Sequence, residues 1–335
     1  MTQGTLTATR LRAILVALIL LAAALLASIA LGSRELSPAQ VWEGLTSPHV
    51  TDLTEVVRGL RLPRTLAAVT VGLCLGLAGT VMQALTRNPL ADPGILGVNA
   101  GAGLAVVVFV ALAGFSTVGS NMAAALVGAA IAVVAVHLLA GGTGRRSAPA
   151  RLALAGVAVS AALSSLIQGV VLANQFVFNE FRFWVAGSLE GRSFGHVVPL
   201  LPPIGVALVV AVSILPALSV LALGDEAATA LGVPVRRVRT LGLACVAVLA
   251  AAATSIAGPL SFVGLAVPLV ARRLVGEDLR WAGALSLLLG PVWVLASDVL
   301  ARVMLGLAEA PVGVILALAG APVFIALVRA RRVVA

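Results

Sequence analysis

The side chains that could carry out chemistry are few and scattered along the sequence. His49, His137 and His196 stand singly, and Cys74 and Cys245 lie in separate apolar segments without a CxxC spacing. A zinc site needs several such ligands close together, and a disulfide framework needs paired cysteines. We therefore predict that the chain binds no metal and no cofactor of its own.

Nucleotide and hydrolytic chemistry are not indicated either. The phosphate-binding motif GxxxxGK[ST] requires a lysine and the chain has none, and the motifs HExxH and GxSxG are also missing. Asp298 and Arg302 lie four apart in an apolar segment, so they would pair on one helix face. Ion-coupled carriers usually need more carboxylates inside the membrane, so their scarcity counts against that class. The sequence predicts a protein that is not an enzyme.

A polar stretch between two apolar runs, LALGDEAATALGVPVRRVRT at 221–240, has the features of a short surface helix. Asp225 and Glu226 follow Gly224 and would occupy the first turn, where acidic side chains favour the helix dipole. Gly232 and Pro234 then supply a stop. An ordinary connection between two spans is the alternative that these residues leave open.

The composition places the chain in a membrane. With 335 residues, of which 61% are hydrophobic and 10% charged, it has too little polar surface for a soluble globule. We predict an all-α integral membrane protein with a single domain, residues 1–335. The net charge of +9 could suggest nucleic acid, but the arginines flank apolar segments and form no separate basic stripe. The expected contact is therefore with the lipid bilayer and not with nucleic acid.

Apolar runs separated by turn signals predict about ten spans. Their expected ranges are 13–31, 64–85, 95–113, 121–140, 152–173, 199–222, 241–256, 263–270, 281–305 and 312–328. The second span is expected to start after a break at Pro63. The first run could also be a signal peptide, but it is long and further spans follow, so we favour a retained helix. Aromatic and charged residues at 174–198 suggest an interfacial helix.

The arginines set the expected orientation. Most of the 22 cationic side chains, all of them arginine, fall on one side of such a ten-span chain. The other side receives Arg34, Arg58, Arg61, Arg64, Arg182, Arg192 and Arg302. Cationic residues are retained on the cytoplasmic side, so both termini and the 221–240 stretch are predicted to be cytoplasmic.

Four blocks in order resemble the iron-siderophore and vitamin B12 permease family of bacterial ABC importers. They are RLPRTLAAVTVGLCLGLAGTVMQALTRNPLADPGILGVNAGAG at 61–103, LALGDEAATALGV at 221–233, AGPLSFVGLAVPLVARRLVG at 257–276 and APVGVILALAGAPVFIALVR at 310–329. The resemblance implies a type II importer permease in the bacterial inner membrane, which pairs with a second copy or a paralogue. It also implies a cytoplasmic subunit that binds ATP and magnesium, and an extracytoplasmic substrate-binding protein.

The resemblance assigns roles to particular positions. Those expected to couple to the ATPase are Gly224, Asp225, Glu226, Ala227, Leu231 and Gly232. Arg61, Arg64 and Arg302 match arginines that meet acidic residues of the binding protein, and exposed guanidinium groups suit this role because they bind carboxylates in a bidentate manner. Arginines that merely reach the lipid interface are the alternative.

The cytoplasmic gate of the family corresponds to Asn88, Leu90, Pro149 and Ala150. Here the sequence departs from the vitamin B12 branch, where the last two positions are hydroxylic, and Leu269 and Leu279 stand where histidines are common. We predict an importer permease for a ferric siderophore, with vitamin B12, haem or another metal chelate as alternative substrates. An ion-coupled secondary carrier and a membrane protein that transports nothing are the alternatives from other classes.

Overall fold

The computed structural model describes residues 3–32, 35–141, 149–304 and 309–332. The predicted position of Arg34 and the last residue of the expected span 281–305 fall outside these residues. The described residues form fifteen α-helices: α1 Gln3–Ala30, α2 Pro38–Thr46, α3 Asp52–Thr54, α4 Leu62–Thr86, α5 Val98–Ala113, α6 Val118–Leu139, α7 Pro149–Ala173, α8 Gln175–Ala186, α9 Phe194–Val197, α10 Leu201–Leu221, α11 Asp225–Ala230, α12 Val235–Ala257, α13 Val263–Val275, α14 Leu279–Met304 and α15 Val312–Arg332. Short 3-10 turns, Pro93–Leu96 and Val198–Leu200, precede α5 and α10.

Seven helical segments are long and apolar enough to cross a membrane. They are Thr7–Ala30, Asp52–Thr86, Val118–Leu139, Ala150–Ala173, Phe194–Leu221, Val235–Ala257 and Leu279–Met304. The apolar helices Val98–Ala113 and Val312–Ala326 are shorter, and α13 has 13 residues. The architecture is all-helical in the described ranges, as predicted, while the count of ten spans stays a prediction.

Helix α4 is the centre of the bundle, because most of its residues are buried and it packs against α10, α12, α13 and α14. Gly72, Gly76 and Gly79 lie on one face of it, three or four residues apart. A methyl group at Gly72 would overlap the main chain of Gly290, and one at Gly79 would overlap Gly264. Helix backbones approach this closely only at small residues, so these glycines fix how α4 sits against α13 and α14.

The break predicted at Pro63 is wrong. The helix runs continuously from Asp52 to Thr86, and Glu55–Arg61 is a π-helical segment within it. The amide of Leu62 donates to the carbonyl of Val57, five residues back, which is the π pattern. Pro63 lies in the first turn of α4, where its missing amide proton costs little because the preceding π turn has already shifted the hydrogen-bond pattern.

Helix α1 is bound to the bundle at both ends. Near its start, Arg10 Nε donates to the carbonyl of Val275 at 3.0 Å, and its guanidinium lies 5.6 Å from the ring centre of Trp281. Near its end, the hydroxyls of Ser28 and Thr65 lie 2.8 Å apart. These contacts favour a retained first helix, since a cleaved signal peptide would leave their partners on α13, α14 and α4 unsatisfied.

Candidate functional site

The coupling helix predicted from the sequence is α11. It begins at Asp225 and ends at Ala230, and both flanking glycines have positive φ, +115° at Gly224 and +80° at Gly232. L-residues rarely adopt such angles, so the two glycines set both ends of the helix. The helix start and stop read from the sequence are thereby confirmed.

One face of α11 points away from the bundle. Glu226, Ala227, Leu231 and Gly232 are exposed, with Leu231 66% exposed, whereas Ala228 is fully buried. A short helix that packs one side chain inward and presents an apolar residue outward has the form of a docking element. The structure therefore brings the predicted coupling residues together on a surface; their role in coupling remains a prediction.

Arg87 connects this helix to α4, a contact that was not predicted from the sequence. Its Nε and Nη2 atoms donate to the carbonyl of Leu221 at 3.1 and 2.8 Å, and Nη2 also pairs with Asp225 Oδ1 at 2.5 Å. Arg239, in the first turns of α12, pairs with the same carboxylate at 2.9 Å. The arginine just before NPLADPG was the available signal, but nothing in the sequence shows that it meets a carboxylate 138 residues away.

The predicted gate residues lie on two elements at this end of the bundle. Asn88 and Leu90 belong to the turn after α4, where Asn88 Oδ1 accepts from the Leu90 amide at 2.9 Å and Leu90 is half exposed. Pro149 and Ala150 form the first turn of α7, and Ala150 is exposed; the side chain of Pro149 lies outside the described part. Asn88, Leu90 and Ala150 are accessible from the bundle surface, and the gating role of the four positions stays a prediction.

The same turn is pinned to the core by Asp92. Its Oδ1 accepts from the Gly94 amide at 2.7 Å, and its carboxylate lies beside the start of α13 at Gly264. Burial raises the pKa of Asp92, although this hydrogen bond acts in the opposite direction. The turn that bears the predicted gate is therefore a fixed part of the bundle.

Helix α4 has 25 residues and is therefore about 37 Å long. Four charged side chains lie together at its opposite end, and we name them the arginine–carboxylate cluster: Arg64, Asp298, Arg302 and Glu309. Arg64 donates hydrogen bonds to Asp298 Oδ1 from Nε at 2.9 Å and from Nη2 at 2.8 Å, and its Nη1 donates to Glu309 Oε2 at 2.6 Å. Arg302 pairs with Asp298 at 2.9 Å, which confirms the pair expected from the four-residue spacing. The cluster joins α4, α14 and the segment before α15.

Two of the predicted docking arginines also hold the end of α1. Arg61 Nη1 donates to the carbonyls of Ile29 and Ala30 at 2.6 and 2.7 Å. Arg302 Nη1 donates to the carbonyls of Ser28 and Leu31 at 3.0 and 3.2 Å. The last carbonyls of a helix lack partners within it, and cations are favoured there.

The expectation that these arginines are exposed is wrong. Arg61 is 6% and Arg302 is 3% exposed, and the side chain of Arg64 is 12% exposed. They are drawn inward because the α1 carbonyls and the buried Asp298 need donors. Their expected contact with a binding protein is untested by this geometry and remains a prediction.

Comparisons with known proteins show the family to which the chain belongs. A model of the FecCD transport family matches residues 19–330. The chain belongs to the FecCD transport family. It is 42% identical over 301 residues to the ferric enterobactin transport system permease protein FepD of Escherichia coli (strain K12), with 90% of each chain covered. It is 37% identical over 302 residues to the probable siderophore transport system permease protein YfiZ of Bacillus subtilis (strain 168), again with 90% of each covered.

A solved structure of a metal-chelate type ABC transporter in an inward-facing conformation has the same fold. It superposes with a TM-score of 0.78 and 28% identity, covering 94% of this chain and 98% of that one. In the present chain, Arg64 and Arg87 lie near the two ends of α4. Each binds a carboxylate from a distant part of the chain. Helix α4 therefore connects the two surfaces at which contacts with other subunits are expected.

Proposed function

We propose that this chain is the membrane-spanning permease subunit of an ATP-driven importer for a ferric siderophore. The observation that carries the proposal is the exposed helix α11, held to α4 and α10 through Arg87, in a chain of the FecCD family. A rigid helix bound at its start to the neighbouring helices can pass a movement of a neighbouring subunit into the spans attached to it. The permease itself has no catalytic role, and the partner subunit hydrolyses ATP.

The partners follow from three surfaces. The face of α11 with Ala227 and Leu231 receives the cytoplasmic ATP-binding subunit, and the end of α4 with Arg64 receives the extracytoplasmic substrate-binding protein. The third surface belongs to α7, where the most apolar stretch of Ala150–Ala173 is only 17% buried within the chain.

Helix α7 differs from an ordinary lipid-facing helix because Ser164, Ser165 and Gln168 are exposed on it. An amide in contact with lipid is unfavourable, since its donors and acceptors find no partners there. A second permease copy or paralogue facing this helix would enclose a polar pathway between the two subunits. This accounts for both the exposure and the polarity of α7.

The proposed topology has ten spans. The short helices α5, α13 and α15 join the seven longer segments, since short helices are tolerated in a membrane where they are surrounded by protein. An even number of spans places both termini on one side, and the arginine distribution makes that side the cytoplasm of the bacterial inner membrane. Helix α11 then faces the ATP-binding subunit.

Uptake by reconstituted protein tests the function. The permease, its partner permease and the ATP-binding subunit are placed in proteoliposomes with loaded binding protein outside, and uptake of a radiolabelled ferric siderophore is measured with ATP inside. We expect uptake that requires ATP and the ATP-binding subunit. Transport driven by an ion gradient without ATP would overturn the importer, and ATP-dependent uptake of vitamin B12 or haem instead of any siderophore would overturn the substrate.

A further inference from the structure

The guanidinium group of Arg64 already has two carboxylate partners, and they differ in exposure. Asp298 takes Nε and Nη2 and its side chain is fully buried. Glu309 takes Nη1, and its side chain is 23% exposed. One edge of the guanidinium group is thus closed by an interior carboxylate and the other by a carboxylate at the surface.

The two carboxylates also differ in what their removal would leave behind. Asp298 pairs with Arg302 as well, at 2.9 Å, so its departure would leave the buried Arg302 without a carboxylate and Arg64 with Glu309 alone. Leaving a buried charge without its partner is strongly unfavourable. The departure of Glu309 leaves Arg64 still paired with Asp298 and opens one edge of its guanidinium group towards water, so no buried charge loses its last partner. Glu309 is therefore the exchangeable partner.

The geometry points to Glu309 as a built-in competitor for binding-protein docking: a carboxylate of the substrate-binding protein replaces Glu309 on Arg64 Nη1, while Asp298 stays in place. This inference rests on the docking role proposed for Arg64. A planar N–H edge of this kind selects an aspartate or glutamate side chain on the partner. The internal Glu309 keeps the edge paired while no binding protein is present.

The exchange of carboxylates on Arg64 would remove a contact near the start of α15. Glu309 lies three residues before Val312, the first residue of α15, and its contact with Arg64 connects that segment to α4. The segment keeps main-chain contacts when Glu309 leaves, because the Ala310 amide donates to the Ala301 carbonyl at 3.1 Å and the Gly313 amide to the Gly187 carbonyl at 3.3 Å. Docking therefore releases one side-chain restraint on α15 without detaching the helix.

Arginine-specific labelling tests the exchange. The assembled importer in nanodiscs is treated with phenylglyoxal, and modification of Arg64 is followed by peptide mass spectrometry with and without the importer's loaded substrate-binding protein. Glu309→Gln is compared with wild type and with Glu35→Gln, which removes an exposed carboxylate at the same end of the bundle. We expect Arg64 in Glu309→Gln to react about threefold faster, and the binding protein to bind about threefold more tightly. Glu35→Gln should match wild type in both.

Each other outcome decides against the exchange. An unchanged labelling rate in Glu309→Gln would mean that Glu309 does not cover Arg64, and it would leave the docking role intact if the binding protein still protects Arg64. Faster labelling with weaker binding would make Glu309 a docking residue and not a competitor. If the binding protein protects Arg64 in neither variant, docking at Arg64 fails and the exchange fails with it, while ATP-dependent uptake remains as evidence for the importer.

Discussion

The guanidinium group of Arg87 donates two hydrogen bonds to the main-chain carbonyl of Leu221, at 3.1 and 2.8 Å, and also pairs with Asp225. Arg87 directly follows α4 in a left-handed conformation with φ of 51°, and Leu221 is the last residue of α10. A single side chain therefore joins α4, α10 and α11. A displacement of α11 reaches the central helix of the bundle through this contact, with no need for the helices to unfold.

Replacing Arg87 should uncouple transport from ATP. Arg87→Ala removes a charged donor from Asp225 and the Leu221 carbonyl, and losing such bonds costs about 1.5–3 kcal/mol. We expect ATP-driven uptake in proteoliposomes to fall at least tenfold with normal membrane insertion. Arg237→Ala, an exposed arginine two positions before Arg239, serves as the control and should keep most of the uptake. Wild-type uptake by Arg87→Ala would contradict the proposed role of Arg87 in joining α4, α10 and α11.

A bulky residue at Gly232 should disrupt the end of α11. Its φ of +80° is unfavourable for an L-residue by about 1–2 kcal/mol, so Gly232→Leu would shift the chain that follows the helix. Uptake and the ATPase rate in the assembled importer should become uncoupled, with uptake reduced several-fold.

Gly114→Leu is the matched control for Gly232→Leu. Gly114 has a similar φ of +72° and free space around it, but it lies in the turn between α5 and α6. A strained leucine there should leave uptake near wild type. Equal losses in both variants would mean that backbone strain alone, and not the position of α11, limits transport.

Local features of this molecule could be predicted from the sequence. The bounds of α11 follow from Asp225 and Glu226 at its start and from Gly232 after its end, because capping and dipole effects act within one turn. The pair of Asp298 and Arg302 follows from helix geometry alone. Both predictions rest on residues close together in the chain.

The features that were missed depend on distant residues. Arg64 and Asp298 are 234 positions apart, and no local pattern indicates that they meet. The buried state of Arg61 follows from the end of α1 lying against the start of α4, which is likewise a packing outcome. The π-helical turn before Pro63 was not predicted for a related reason. The sequence shows the proline, but it does not show that the preceding turn contains one extra residue.

Cysteine labelling can determine which side α11 faces. Leu231→Cys is expected to react with a membrane-impermeant maleimide only from the cytoplasmic side, and Trp42→Cys, 69% exposed at the other end of the bundle, only from outside. Ala228→Cys should stay unreactive because Ala228 is buried. Both native cysteines are also buried, so background labelling should be low. Labelling of Leu231→Cys from outside would reverse the proposed topology.

Asp298→Asn should destabilise the whole bundle. The buried carboxylate accepts from Arg64 and pairs with Arg302, and asparagine would leave Arg302, at 4% side-chain exposure, without a counter-charge and Arg64 with Glu309 alone. Removing one partner of such a buried group costs about 3–5 kcal/mol. Asp278→Asn makes the same chemical change at a half-exposed pair with Arg10, 3.8 Å apart, and should cost about 1 kcal/mol or less. Thermal unfolding of the purified variants measures both.

A double variant separates the missing counter-charge from a simple packing defect. If Asp298→Asn is costly because Arg302 becomes an unpaired buried cation, then Arg302→Gln added to it should restore part of the stability, so the two effects should not add. Arg302 also bonds Ser28 and Leu31 on α1, so its own removal has a cost that the single variant Arg302→Gln measures. Strict additivity of the two single changes would show that Asp298 stabilises the bundle by shape and not by charge.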